Sequence, residues 1–154
     1  MGKVFINSYA EFEQYLGKEI GVSDYIKIDQ NKINLFADAT MDHQWIHVDE
    51  KRAEVESPFK KTIAHGYMAV SLVPHLWNQI ATFNNIKMLI NYGVEKLKFN
   101  QPVIVDSEVR LKVKLASLTN LRGVAKAGLD AELEIKGNPK PAFTATVVLL
   151  YHFK

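Results

Sequence analysis

The sequence predicts an α+β domain in which helices come first and a mainly antiparallel sheet follows, curled around one apolar helix. Three observations carry this. Helix-start signals and helical periodicity occupy the first half of the chain, the apolar run Tyr67–Ile80 is too long for an ordinary strand, and period-two alternation fills the last third. At 154 residues the chain has the size of one domain, and residues 1–154 are read as one.

Ser8 followed by Glu11 is a capping box, Phe12, Tyr15 and Leu16 supply an apolar face, and Gly17 stops this first helix. Residues 20–29 read as an extended link or short strand. Asp29 caps a second helix running to about Ala39, with Ile33, Phe36 and Ala37 on one side. Thr40–Asp49 is polar and irregular, and Asp49 caps a short helix over Glu50–Val55 that Pro58 limits. Residues 59–64 are a linker. His65-Gly66 then opens the apolar run, predicted as a helix buried on most sides that Pro74 bends or divides, with His75 as a hydrogen-bonded core or interface histidine. Strands are predicted over 86–98, 103–115, 121–135 and 142–153, with Gly137-Asn138-Pro139 as a turn.

Composition narrows the function. The formal charge is only +2 and the charges mostly alternate in sign, so no concentrated basic face for nucleic acid is expected. There are no cysteines, which excludes disulfides and thiolate chemistry and fits a reducing compartment. The first twenty residues lack the apolar segment of an export signal and no run is long enough to span a membrane, so a cytoplasmic protein is expected.

The chemistry is concentrated in Asp42-His43-Gln44-Trp45-Ile46-His47-Val48-Asp49. A carboxylate and an imidazole can share proton transfer near neutral pH, and Asp42 with His47 is the candidate pair. Five residues apart, they would sit roughly 140° apart on a straight helix, so a joint site needs an irregular backbone or two subunits. The plainer alternative is that Asp42 caps a turn and His47 is a satisfied, partly buried histidine. His43 reads as solvated or supporting, and Trp45 as core or rim. His65-Gly66 lies where the buried helix begins, whose first amides lack intrahelical partners, so the Gly66 N–H is a candidate oxyanion donor. Gly66 can instead serve a tight turn or close packing. His43, His47 and Asp42 lack the H-E-x-x-H spacing, and neither a Walker A nor a dinucleotide fingerprint occurs, so neither a metal nor another cofactor is expected.

Phe36-Ala37-Asp38-Ala39-Thr40-Met41-Asp42-His43-Gln44-Trp45-Ile46-His47-Val48-Asp49, followed by Ala64-His65-Gly66, resembles the motif pair of the MaoC-like dehydratase family. Gln44-Trp45, Asn91-Tyr92-Gly93 and Pro102-Val103 resemble its NodN-like branch. The resemblance covers nearly the whole chain. It implies a hotdog fold, with a long central helix wrapped by an antiparallel sheet and dimerisation sheet to sheet. It also implies reversible hydration of a trans-2-enoyl thioester, of CoA or an acyl carrier, to the (R)-3-hydroxyacyl product.

Carried over residue by residue, the resemblance makes Asp42 and His47 the catalytic pair and Gly66 the oxyanion donor. Gln44, His65 and Lys98 fall on the substrate side, and no cofactor is implied. Three positions depart from the pattern. Met41 and Lys60 stand where the family has glycine, so torsion or access near Asp42 is expected to differ. Lys98 stands where the branch has arginine and keeps charge without the bidentate fork. Two alternatives stay open: a non-catalytic hotdog protein that binds a thioester or small metabolite, and a thioesterase. Val147-Val148-Leu149-Leu150 does not alternate strictly, which points to a covered face or a partner subunit, and hence a homodimer or an assembly of dimers.

Overall fold

Helix starts fall where the capping residues place them. Among residues 2–154, which the computed structural model describes, β1 (Val4–Ile6) precedes α1 (Tyr9–Glu13). Ser8 Oγ accepts the Glu11 amide at 3.2 Å, and the Glu11 carboxylate reaches back to the Asn7 amide at 2.8 Å, one residue beyond the usual box partner. The link that follows holds β2 (Glu19–Val22) and β3 (Ile26–Lys27). Asp29 accepts the Lys32 amide at 2.9 Å and opens α2 (Gln30–Thr40). The stretch Thr40–Asp49 is not wholly irregular, because it contains α3 (Trp45–Val48), a single turn closed by the Asp49 amide on the Trp45 carbonyl at 3.0 Å. One turn is too short to display a period in sequence. Asp49 then accepts the Arg52 amide at 3.0 Å and opens α4 (Glu50–Glu56).

The expected single central helix is two helices. The apolar run forms α5 (Gly66–Ser71) and α6 (Val73–Ile80), broken at Leu72. Pro74 has no N–H to give to the Val70 carbonyl, and its ring crowds that oxygen. The chain tightens there: the Leu72 amide bonds the Ala69 carbonyl at 3.3 Å, and the Leu76 amide resumes on Leu72 at 3.1 Å. Burial is also one-sided. Val73, Leu76, Trp77 and Ile80 face the core, while Pro74 and His75 are exposed, so His75 is not a core histidine.

The strands β5 (Ile86–Phe99), β6 (Glu108–Leu121), β7 (Val124–Ile135) and β8 (Phe143–Phe153) build the sheet. Its order is β2-β6-β7-β8-β5 with β3 also on β6, every pairing antiparallel. A separate parallel pair joins β1 to β4 (Ala81–Phe83). Alternation in β6 puts Val109, Leu111, Val113 and Leu115 in the core. The core also holds Trp77, whose indole N–H donates to the Tyr151 hydroxyl at 2.7 Å.

The strand predicted from Val103 begins at Glu108. The segment before it runs antiparallel beside residues 62–64 instead, with the Ala64 amide on Val103 at 2.8 Å and the Val105 amide on Thr62 at 3.0 Å. This short pairing seats the start of α5 on the sheet. No helix among the described residues is long and apolar enough to cross a membrane.

Candidate active site

Helix α2 ends at Met41, whose φ of 62° and ψ of 22° lie in the left-handed region. The chain turns sharply there and delivers Asp42 beside α3, which is the irregular backbone that a joint Asp42–His47 site requires. Met41 itself adopts the torsion that glycine would supply. The Asp42 carboxylate is half-exposed, and its amide contact from Gln44 is long, at 3.4 Å. His43 turns away and pairs with Asp38 at 2.8 Å on the surface. Gln44 caps α3 with its carbonyl, accepting the His47 amide at 3.0 Å, while its side chain is exposed. Trp45 is half-buried beneath the Arg52 guanidinium, 4.4 Å from the ring centroid.

His47 is buried, 7% exposed. Its Nδ1–H donates to the Ile63 carbonyl at 2.7 Å, which fixes the neutral tautomer and leaves a lone pair on Nε2. The same strand returns a bond, the Ile63 amide donating to the Ile46 carbonyl at 3.0 Å. From the other side the Gln30 side-chain amide donates to the His47 carbonyl at 2.7 Å, and Gln30 in turn accepts the Thr62 hydroxyl. Burial holds the His47 pKa below the usual imidazole range. The Ile63 carbonyl opposes this, neighbouring His65 adds to it, and the Asp42 carboxylate opposes it.

His65 is 3% exposed and stacks on His47, with ring centroids 3.8 Å apart and planes 23° from parallel. Its Nε2–H donates to the Asp42 carbonyl at 2.9 Å and lies 3.9 Å from the Asp42 carboxylate. Donor atoms of Asp42, His47 and His65 all fall within 4.8 Å of one another, a set that can hold a divalent cation. His65 Nε2, however, gives its hydrogen to the Asp42 carbonyl, so that nitrogen offers a cation no lone pair while this bond stands. The arrangement suits a base and an acid working on one water.

Gly66 opens α5, and its amide has no hydrogen-bond acceptor among the described residues. A Cβ on Gly66 would stand 3.0 Å from the Phe99 ring, so any larger residue here makes that ring give by a few tenths of an ångström. His47, His65, Gly66, Phe99 and Asn100 line a cavity of about 300 Å³. Lys98 is not part of it. It lines a neighbouring depression with Lys140, Asn100 and Gln101, the last two shared with the His47 cavity. The structure thus joins Asp42, His47, His65 and Gly66, leaves Gln44 exposed outside the cavity lining, and sets Lys98 apart. Gln30, Thr62 and Phe99 were missed. Each meets the site only through tertiary contact, and no local spacing announces them.

Residues 11–134 match the MaoC-like domain, and the chain belongs to that family. It is 43% identical over 145 residues to 3-hydroxyacyl-thioester dehydratase Z of Mycobacterium tuberculosis, covering 94% of this chain and 95% of that one. It is 38% identical over 149 residues to nodulation protein N of Rhizobium leguminosarum bv. viciae, covering 95% and 92%. Among solved structures, an (R)-hydratase from A. caviae involved in PHA biosynthesis superposes with a TM-score of 0.65 at 25% identity, over 83% of this chain and 94% of that one. The unliganded R-hydratase of Pseudomonas aeruginosa superposes at 0.72 and 16% identity, over 90% and 83%, which speaks to the fold. The α+β hotdog class is thereby established, with its helical element divided at Leu72.

Proposed function

We propose that this protein catalyses reversible hydration of a trans-2-enoyl thioester to the (R)-3-hydroxyacyl thioester, with Asp42 and His47 as its acid–base pair. The observation that carries this assignment of residues is the free Nε2 of His47, held in the tautomer set by Ile63 at the cavity wall, in a cluster with Asp42 and His65 whose polar side-chain atoms fall within 4.8 Å of one another. In the hydration direction the pair activates a water for attack at C3 and supplies the proton that C2 takes up. Base and acid are assigned to the two groups jointly. The Gly66 N–H binds the thioester oxygen as enolate character develops. Gln44 supports the geometry from outside the cavity lining.

A second cavity of about 410 Å³ begins one turn further along α5. Val70, Val73, Trp77, Tyr92 and Leu149 line it, and its apolar walls suit an acyl chain. The thioester carrier is CoA or an acyl-carrier arm, and its phosphate would reach Lys98 in the depression that shares Asn100 and Gln101 with the His47 cavity.

The assembly is a homodimer or a set of dimers formed through β5. This strand closes one end of the sheet and carries exposed Met88, Ile90, Tyr92 and Val94. The expectation for residues 142–151 is thereby reassigned: Val147, Val148 and Leu149 are buried where β8 lies between β7 and β5. Residues 1–154 act as one domain, and a cytoplasmic setting fits a chain without cysteine.

The test is to incubate the protein with crotonyl-CoA and follow the enoyl absorbance, free thiol and product stereochemistry together. Loss of the enoyl band with no thiol release and an (R) product is expected. Thiol release would make the protein a thioesterase. Saturable binding of enoyl thioesters of every chain length with no chemical change would make it a binding protein.

A further inference from the structure

We propose that His65 is a positioning residue: it ties the Asp42 backbone to the face of the His47 ring and so sets the gap across which the pair shares one water. This rests on the hydratase reading of the site.

The Asp42 carboxylate has little to hold it. It follows a left-handed corner at the end of α2, is half-exposed, and among the described residues meets the long Gln44 amide contact and the His65 Nε2 at 3.9 Å. The short bond at this residue is on its backbone, from His65 Nε2–H to the Asp42 carbonyl at 2.9 Å. His47 is anchored at one edge by Ile63, and that leaves the tilt of its ring open. The stacked His65 ring sets this tilt, backed in turn by Phe36 at 4.9 Å. His65 also precedes Gly66 in the chain, so one residue touches the base, the acid and the start of α5.

His65 carries a cost that packing alone does not explain. Its Nδ1 is buried and has no partner among the described residues. A buried polar atom left unpaired is unfavourable, and a phenyl ring would fill the same stack without that penalty. The imidazole is retained for its Nε2–H. The Nε2–H tautomer is the one this surrounding fits, since an Nδ1–H would be buried with nothing among the described residues to accept it.

Three measurements test this on the full-length protein. With crotonyl-CoA, His65→Phe, which keeps the stack and loses the donor, is expected to lower kcat roughly 10- to 100-fold. Its KM should stay within about twofold and its Tm should be equal or higher. His65→Gln, which can still donate to the Asp42 carbonyl but loses the ring stack, is expected to recover part of kcat. Nitrogen-15 spectra of the native protein should show His65 as the Nε2–H tautomer and His47 as the Nδ1–H tautomer. The Asp42 carbonyl carbon should shift in His65→Phe and not in His65→Gln.

Full activity in His65→Phe overturns the proposal. So does a raised KM at unchanged kcat, which would make His65 a substrate contact. Equal loss in Phe and Gln variants that both fold, or an Asp42 carbonyl unmoved in His65→Phe, also overturns it. A native protein inactive on every enoyl thioester, with the tautomers and the carbonyl shift as stated, would sink the hydratase reading and leave the positioning geometry standing.

Discussion

Met41 and Lys60 hold φ values of 62° and 60°, torsions that cost a side-chain-bearing residue roughly 1–2 kcal/mol relative to glycine. Both side chains are exposed, and against the cost stands the bond Lys60 Nζ–H gives the Val55 carbonyl at 3.0 Å, itself solvent-exposed and so worth little. After the extra chain entropy of glycine is counted, Met41→Gly and Lys60→Gly should each raise stability by about 0.5–1 kcal/mol in urea melts. Unchanged or lower stability would show that these side chains contribute more than the structure suggests.

His47 makes a second prediction at this scale. Burial lowers its pKa, so it must be neutral at pH 7 and lose its free lone pair only as pH falls below the usual imidazole range. Its NMR titration midpoint should therefore lie below that of an exposed histidine. The midpoint should fall further in Asp42→Asn, because the carboxylate favours the charged ring. A midpoint that rose in the variant would contradict the contact. Asp42, His47 and Gly66 were legible because they sit in two short motifs whose residue types already imply proton transfer and a bare amide. Gln30 and Thr62 were not, since the Gln30–His47 bond spans 17 residues and the Thr62–Gln30 bond spans 32.

Helix α5 is short, and its role depends on where it starts. Gly66 gives its amide no internal partner and admits the Phe99 ring where a Cβ would stand. Gly66→Ala must push that ring by a few tenths of an ångström or displace the helix start. It should lower kcat roughly 10- to 100-fold while His47 keeps its titration midpoint. Full activity in this variant would detach Gly66 from the chemistry. Capping residues made α1, α2 and α4 readable, since Ser8, Asp29 and Asp49 each bond the amide three residues on. The division of the central helix was readable only as a choice between bend and break. Pro74 guarantees a missing bond, but how far the chain tightens at Leu72 depends on what packs beneath it. β1 and β4 escaped notice because three residues each are too few to show alternation, and their pairing joins segments 77 residues apart.

Across the whole molecule, the sheet and its buried face were legible from alternation in the last third of the chain, whereas strand order was not. Pairing of β5 with β8 is a long-range choice that no local pattern records. The same topology leaves the 14-residue β5 at the end of the sheet with Met88, Ile90, Tyr92 and Val94 exposed along it. Introducing Asp at Met88 and Val94 together should shift the sedimentation coefficient to that of a monomer and reduce turnover, while Tm falls only through lost assembly. A native protein that already sediments as a monomer at micromolar concentration would refute the β5 interface. Inside, Trp77→Phe leaves the Tyr151 hydroxyl buried without its donor and should cost about 1–3 kcal/mol of stability.

The most direct test of the account is steady-state hydration of crotonyl-CoA by the native protein, Asp42→Asn and His47→Gln, each checked for native Tm. Each variant should lose roughly 100- to 10,000-fold in kcat with KM little changed, and the double variant should lose little more than the worse single one, because the two groups act as a unit. Turnover that survives in either variant at more than about a tenth of the native rate would place the chemistry elsewhere.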